Sequence, residues 1–255
     1  MNPSSPLALD GRHALITGAS SGIGAATARQ LAASGASLTL VARRVERLTA
    51  VAEECGSARV VALDVTDAAA VAAGLGAELP DILVLNAGLA RGTSPAFGNT
   101  VAEVDEVLDT NVKGYLHVLR AVLPGMLARG SGDVVLLGSV AGRQVYPGGG
   151  IYCMSKHAVR ALYESLRIDA GGKGVRFTTV DPGMVETEFS EVRFRGDKAA
   201  AKKVYAGLDA LAPSDIADII HFCVTRPAHV NLGEVVVWPT AQASTTSVTR
   251  RGGSV

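Results

Sequence analysis

Tyr152 and Lys156 stand one helical turn apart in the stretch IYCMSKHAV, so a helix there carries both on one face. A phenol, with an ordinary pKa of about 10, is a poor proton donor or acceptor at neutral pH. An ammonium held beside it favours the phenolate and makes it usable in acid–base chemistry. The spacing alone is cheap: of the five tyrosines, the other four are followed at that distance by Leu119, Gly150, Arg167 and Asp209. Ser139 supplies support. It ends the buried-strand run DVVLLGS, where doubly wound sheets gather their ligands, and a loop containing YPGGG leads from it to Tyr152. A hydroxyl at that point could hold a carbonyl oxygen against Tyr152. The alternative is an ordinary strand-end serine.

A second cluster is suited to phosphate. In ITGASSGIGAATA, Gly18, Gly22 and Gly24 follow a strand and open a helix. Glycine lets the backbone turn sharply and approach a pyrophosphate, whose charge a helix N-terminus favours. The following strand, SLTLVA, ends in Arg43 and Arg44. In a dinucleotide fold that tip meets the adenosine ribose, where NAD enzymes carry an acid. Guanidinium instead suits a 2′-phosphate, through charge-assisted and often bidentate contacts. Arg43 first, and Arg44 second, therefore point to NADP. The alternative is a solvated first helical turn, although arginine opposes the helix dipole there.

The elements that must position these groups alternate. Continuous apolar runs at 13–17, 37–42, 59–64, 81–86, 133–139, 175–181 and 234–238 read as strands buried on both faces. Helical segments are expected at 22–34, 44–55, 67–79, 101–129, 152–170 and 213–225. This rhythm predicts an α/β chain: one Rossmann-type domain, 1–255, with a doubly wound seven-stranded parallel sheet. A charged insertion at about 186–210 has the place of a substrate lid, and residues 1–10 and 243–255 read as loosely held termini. Asn111 falls inside the long 101–129 segment, where asparagine is a poor helix former.

Composition narrows the function classes. Apolar residues make up 48% and charged residues 19%, enough for one core and unlike a disordered chain. A formal net charge of +0 and an aromatic content of 4% give no field or stacking surface for nucleic acid, and nothing favours an anionic membrane. The three cysteines, Cys55, Cys153 and Cys223, have no CxxC spacing, and the five histidines no metal spacing. No metal is expected, and no export signal or run of about 20 apolar residues is present. The expected setting is the cytoplasm.

On these motifs the chain resembles the short-chain dehydrogenase/reductase superfamily over about residues 12–240. TGASSGIG, with Ser20, Ser21 and Ile23 among its glycines, matches that family's cofactor loop, and Ser139, Tyr152 and Lys156 match its Ser/Tyr-x-x-x-Lys set. LNAG, with Asn86, Ala87 and Gly88, matches its Asn-Asn-Ala-Gly element, Leu85 replacing the first Asn. LDV carries Asp64, matching its adenine-contacting aspartate, and Val65. DPGMVET carries Pro182, Gly183, Val185 and Thr187, the last expected to meet the nicotinamide amide. Asn111 matches the fourth catalytic residue, which the resemblance implies breaks helix geometry and orders a water linked to Lys156. It further implies that Ser139 and Tyr152 hold the substrate oxygen, that Tyr152 exchanges the proton, that Lys156 binds the nicotinamide ribose, and that the protein is a homotetramer or homodimer.

ARRVERL, RAVLPGM, DPGMVETEFSEVRFRGD, RPAHVN and VVVWPTAQ further resemble the NADP-dependent 3-hydroxy acid dehydrogenases that also oxidise serine and allo-threonine. A small 3-hydroxy carboxylate needs a cation near the hydride site, and Arg143, Arg193 and Arg195 are the candidates; each has the alternative of being a surface charge. The competing readings are a broad carbonyl or ketone reductase of the same superfamily and a catalytically idle nucleotide-binding or scaffold protein.

Overall fold

The strands that the apolar runs predict assemble into one seven-stranded sheet. The computed structural model of the protein describes residues 8–251. Its strands are β1 (His13–Thr17), β2 (Ser37–Ala42), β3 (Arg59–Ala62), β4 (Ile82–Leu85), β5 (Gly132–Leu137), β6 (Val175–Pro182) and β7 (Glu234–Val237). They pair in parallel in the order β3-β2-β1-β4-β5-β6-β7. After β3 the chain returns to lay β4 on the far side of β1, so the order reverses beside β1 and opens a crevice at the strand ends.

Both faces of the sheet are covered. Ile16, Leu40 and Val84 pack with Leu31 of α1 (Gly22–Ala33), Leu48 of α2 (Val45–Glu54) and Ile216 and Ile220 of α9 (Pro213–Val224). Their strand neighbours Leu15, Val41, Leu83 and Leu85 point the other way, onto Val71 of α3 (Ala68–Leu75), Val118 and Val122 of α5 (Gly114–Arg129) and Val159 and Tyr163 of α6 (Gly150–Asp169). Removing each such side chain from water contributes roughly 1.5–3 kcal/mol, which is why the strand runs are continuous rather than alternating. Helix starts follow local chemistry: Asp67 accepts from the Ala69 and Ala70 N–H groups, and Thr100 with Glu103 forms a capping box on α4 (Val101–Leu108).

The 101–129 segment is helical but not one regular helix: a π turn at Asp109–Lys113 separates α4 from α5, at the point where the resemblance implies that Asn111 breaks helix geometry. The local reason is Asn111, whose side chain is drawn onto another loop, with Gly114 fitting closely against Val65 at the next turn. The termini are also better held than their composition suggests. Leu9 is fully buried and its N–H donates to Ser34 O. Thr249 N–H donates to Ala241 O, and Arg251 N–H to Gly207 O. For residues 1–7 and 252–255 the expectation lies outside the described residues.

The 186–210 stretch folds into α7 (Phe189–Arg193), whose Phe189 and Val192 line the cleft at the strand ends, and α8 (Lys198–Tyr205). Among the described residues no helix is long and apolar enough to cross a membrane.

Candidate active site

A cleft of about 370 Å³ runs along the carboxyl ends of β1 to β6. One wall is the loop after β1. Gly18 adopts φ +67°, and a Cβ there would lie 2.8 Å from Asn86 Nδ2 and 2.9 Å from Ala87 Cα. At Gly24 a Cβ would lie 2.5 Å from both Asn86 Nδ2 and Gly18 O. The loop can therefore press against β4 only with glycine at these two places. Asn86 fixes the contact by donating to Thr17 O and Gly18 O, while Thr17 Oγ1 accepts from the Asn86 and Ala87 N–H groups. Ser20, Ser21 and Ile23 line this end of the cleft, and Gly22 faces Thr187.

The two arginines at the tip of β2 behave differently. Arg43 is largely exposed and donates to Asp64 at 3.3 Å. Arg44 folds over the loop, with donor–acceptor distances of 3.1 Å to Ser20 Oγ and 2.7 Å to Ser21 Oγ. Arg44, ranked second from sequence, is thus the one that bridges strand tip and glycine loop. Burial alone would raise the Asp64 carboxyl, but hydrogen bonds from Thr66 and the Arg43 charge hold it below its ordinary value. Val65, Ala87 and Gly88 continue the lining, and Pro182, Gly183, Val185 and Thr187 close it from β6.

At the far end stand Ser139, Tyr152 and Lys156, all lining the cleft. Ser139 Oγ accepts from Ala141 N–H, which fixes its side chain at the start of the loop. Burial, then the neighbouring Tyr146 phenol, pushes Tyr152 well above its ordinary pKa; a hydrogen bond with Ser139 and the charge of Arg193 pull it back. Lys156 Nζ lies 5.9 Å from the Tyr152 ring centre and 5.8 Å from that of Tyr115, and donates to Leu137 O at 2.8 Å. Burial lowers this ammonium to about 8, against the opposing pull of Asp181. The one-turn spacing brings Lys156 near Tyr152, but the structure gives its hydrogen bond to a backbone carbonyl.

Asn111 is fully buried behind this end. Its Oδ1 accepts from Leu89 N–H and its Nδ2 donates to Leu89 O, both at 2.8 Å, and also to Ser155 Oγ at 3.0 Å. A Cβ on Gly88 would sit 3.2 Å from Asn111 Oδ1 and 3.7 Å from Lys156 Nζ, so the π turn, the β4 loop and Lys156 meet at one point.

The three arginines proposed as carboxylate clamps separate clearly. Arg143 is drawn away by Asp181, at 2.6 Å, and by Glu234, so its charge is already met. Arg195, the one non-glycine residue at positive φ among the described residues, is exposed and pairs with Glu103 on α4. Both corrections have one cause: carboxylates distant in sequence hold these side chains elsewhere. Arg193 donates to Gly92 O, Tyr146 Oη and Gly148 O, and its charge is felt at Tyr152.

Several residues here went unnoticed in the sequence. Tyr146 carries Arg193, Phe189 sets its ring 5.3 Å from that of Tyr152, and Glu188 pairs with Arg44 and Arg47. Only Thr17, a polar residue ending a buried strand directly before Gly18, left a readable signal.

The family model for short chain dehydrogenase matches residues 12–198. Sulfoacetaldehyde reductase 2 of Chromohalobacter salexigens is 45% identical over 239 residues, 90% of this chain and 94% of the relative. An NADP-dependent 3-hydroxy acid dehydrogenase of Salmonella typhi is 42% identical over 237 residues, 90% and 95% of the two chains. The closed form of a serine dehydrogenase complexed with NADP+ superposes with a TM-score of 0.89 at 38% identity, over 94% of this chain and 99% of that one. The chain belongs to the short-chain dehydrogenase family.

Proposed function

We propose that the protein is an NADP-dependent dehydrogenase of small 3-hydroxy acids or hydroxy amino acids, of the 3-hydroxypropionate, serine and allo-threonine type. The residues present fit the coenzyme. A backbone loop that tolerates no Cβ at Gly18 and Gly24, two guanidinium groups at the ribose end and a Tyr–Lys pair at the other share one continuous cleft. Arg43 and Arg44 would hold the 2′-phosphate, the glycine loop the pyrophosphate, and Lys156 the nicotinamide ribose. When bound, the nicotinamide supplies or accepts the hydride.

The chain's own groups do the rest. Ser139 and Tyr152 orient the substrate oxygen, and Tyr152 Oη exchanges its proton. Lys156, buried beneath that ring, favours the phenolate, and Asn111 holds the β4 loop and the π turn together behind it. Phe189 and Val192 give the cleft an apolar wall against water.

The single observation carrying the substrate class is Arg193, which donates to two carbonyls and a phenol and meets no carboxylate among the described residues. The relatives and structure named above carry the names of a sulfoacetaldehyde reductase, a 3-hydroxy acid dehydrogenase and a serine dehydrogenase, each compound bearing an acid group, which suits a cation beside the cleft next to Val192. The lid at 186–210, the cytoplasmic setting and a homo-oligomer belong to the same proposal.

NADP+ reduction with serine, allo-threonine, 3-hydroxypropionate and simple secondary alcohols tests it. Carboxylate substrates should exceed neutral ones in kcat/KM by at least about tenfold, the loss of one charge-assisted contact. A preference for neutral ketones and alcohols would favour a broad carbonyl reductase, for which the Phe189 wall speaks.

A further inference from the structure

The Arg44 guanidinium faces two ways. One side holds Ser20 and Ser21, and the other reaches across the cleft to Glu188, at 3.0 Å, on the segment leading into α7. Arg47, one turn along α2, places Nη1 2.6 and 2.7 Å from the two Glu188 oxygens. A carboxylate from the lid segment thereby occupies Arg44, beside the tip of β2, together with Arg47 on α2. Resting on the NADP reading above, we propose that Glu188 is a coenzyme gate: held by Arg47, it competes with the 2′-phosphate for Arg44, one of the two arginines assigned to that phosphate, so that capture of NADP frees the start of α7.

The physical balance supports an exchange rather than a permanent strut. All three side chains are substantially exposed, at 42% and 52% for the arginines and 39% for Glu188, and such pairs are individually weak. A phosphate brings more charge and three acceptor oxygens, and so outcompetes one carboxylate for the same fork. Two anions at the one Arg44 guanidinium repel, so the carboxylate gives way. Glu188 neighbours Thr187, which faces Gly22 of the loop, and Phe189, whose ring meets Tyr152. Movement of Glu188 therefore changes the wall over the reacting end. An unphosphorylated coenzyme lacks the competing group and leaves the latch closed. Burial alone would raise the Glu188 carboxyl, but Arg44 and Arg47 hold it below its ordinary value, so the gate answers to phosphate and stays ionised at neutral pH.

The test is calorimetric binding of NADP+ and NAD+ to the wild type and to Glu188→Gln, with amide hydrogen exchange of residues 187–193 in each state. Glu188→Gln should tighten NADP+ about three- to tenfold, the scale of two exposed ion pairs, and leave NAD+ within about twofold. In the coenzyme-free variant, 187–193 should exchange faster than in the wild type; in the wild type, NADP+ but not NAD+ should alter that exchange. If NADP+ binds the variant more weakly or equally, or if NAD+ tightens as much, Glu188 positions Arg44 or does nothing, and the gate is wrong. A wild type that prefers NAD+ overturns the NADP reading and the gate with it; one that prefers NADP+ but ignores Glu188→Gln overturns the gate alone.

Discussion

Replacing Arg193 with Met keeps the length of the side chain and removes its charge. The guanidinium donates to Gly92 O at 2.7 Å, Tyr146 Oη at 3.1 Å and Gly148 O at 3.3 Å. A contact from such a group to a substrate carboxylate contributes about 1.5–3 kcal/mol, so kcat/KM for 3-hydroxypropionate or serine should fall about 10- to 150-fold. Two carbonyls also lose a donor, at about 0.5–1.5 kcal/mol each, which lowers Tm by roughly 2–10 °C and requires assays well below that temperature. The decisive quantity is the ratio of kcat/KM for the carboxylate to that for a neutral alcohol of similar size. Clamp loss collapses that ratio, whereas a loosened lid lowers both together. Because Arg193 pulls the Tyr152 pKa down, the pH profile of the variant should also shift to higher pH. Arg193→Lys, which keeps the charge but not the fork, should lie between. An unchanged ratio in Arg193→Met would refute the carboxylate clamp.

Two further outcomes follow from the geometry. Lys156 binds its proton less tightly when folded, at about 8, than when unfolded, near 10.5. Between these values the unfolded chain carries the extra proton, so this residue makes stability rise with pH across that window. Lys156→Met should therefore abolish turnover yet raise Tm at pH 7 by a few degrees, with the advantage fading toward pH 10.5; Leu137 O keeps the Tyr115 hydroxyl as donor. Calorimetric scans from pH 7 to 10.5 measure it, and a Tm loss at pH 7 would contradict it. Gly24→Ala places a methyl 2.5 Å from Gly18 O and Asn86 Nδ2, both locked by hydrogen bonds. Overpacking of this kind costs about 1–3 kcal/mol, and the displaced loop should weaken NADP+ binding as well; an unchanged Kd by titration would count against the loop's role.

How much of this was legible in the sequence depended on distance along the chain. Tyr152 and Lys156, or Gly18 to Gly24, are local patterns whose geometry follows from a single helix or turn. The strands were legible because residues such as Leu15 and Ile16 are buried on opposite faces, leaving an unbroken apolar run. Asn111 showed as an anomaly, but its partner Leu89 did not, since the bond joins the π turn to the loop after β4. Arg143 read as a free cation because Asp181 and Glu234, on β6 and β7, meet it only in the folded sheet. Residues 243–251 read as loose from their Ser, Thr and Gly content, while their backbone bonds to Ala241 and Gly207 are set by tertiary placement. Glu188 was hidden for the same reason, its partners Arg44 and Arg47 lying at the start of α2, far away in sequence.

The central claim is that the Tyr152 hydroxyl exchanges the proton while the surrounding cleft merely holds coenzyme and substrate. The direct measurement is single-turnover NADP+ reduction by the wild type and Tyr152→Phe with a saturating 3-hydroxy acid, beside the Kd of NADP+ for both. The account predicts a rate loss of about 10²–10⁴-fold, the usual contribution of one acid–base group, with coenzyme affinity nearly unchanged. A variant that still turns over within about tenfold of the wild type would contradict it.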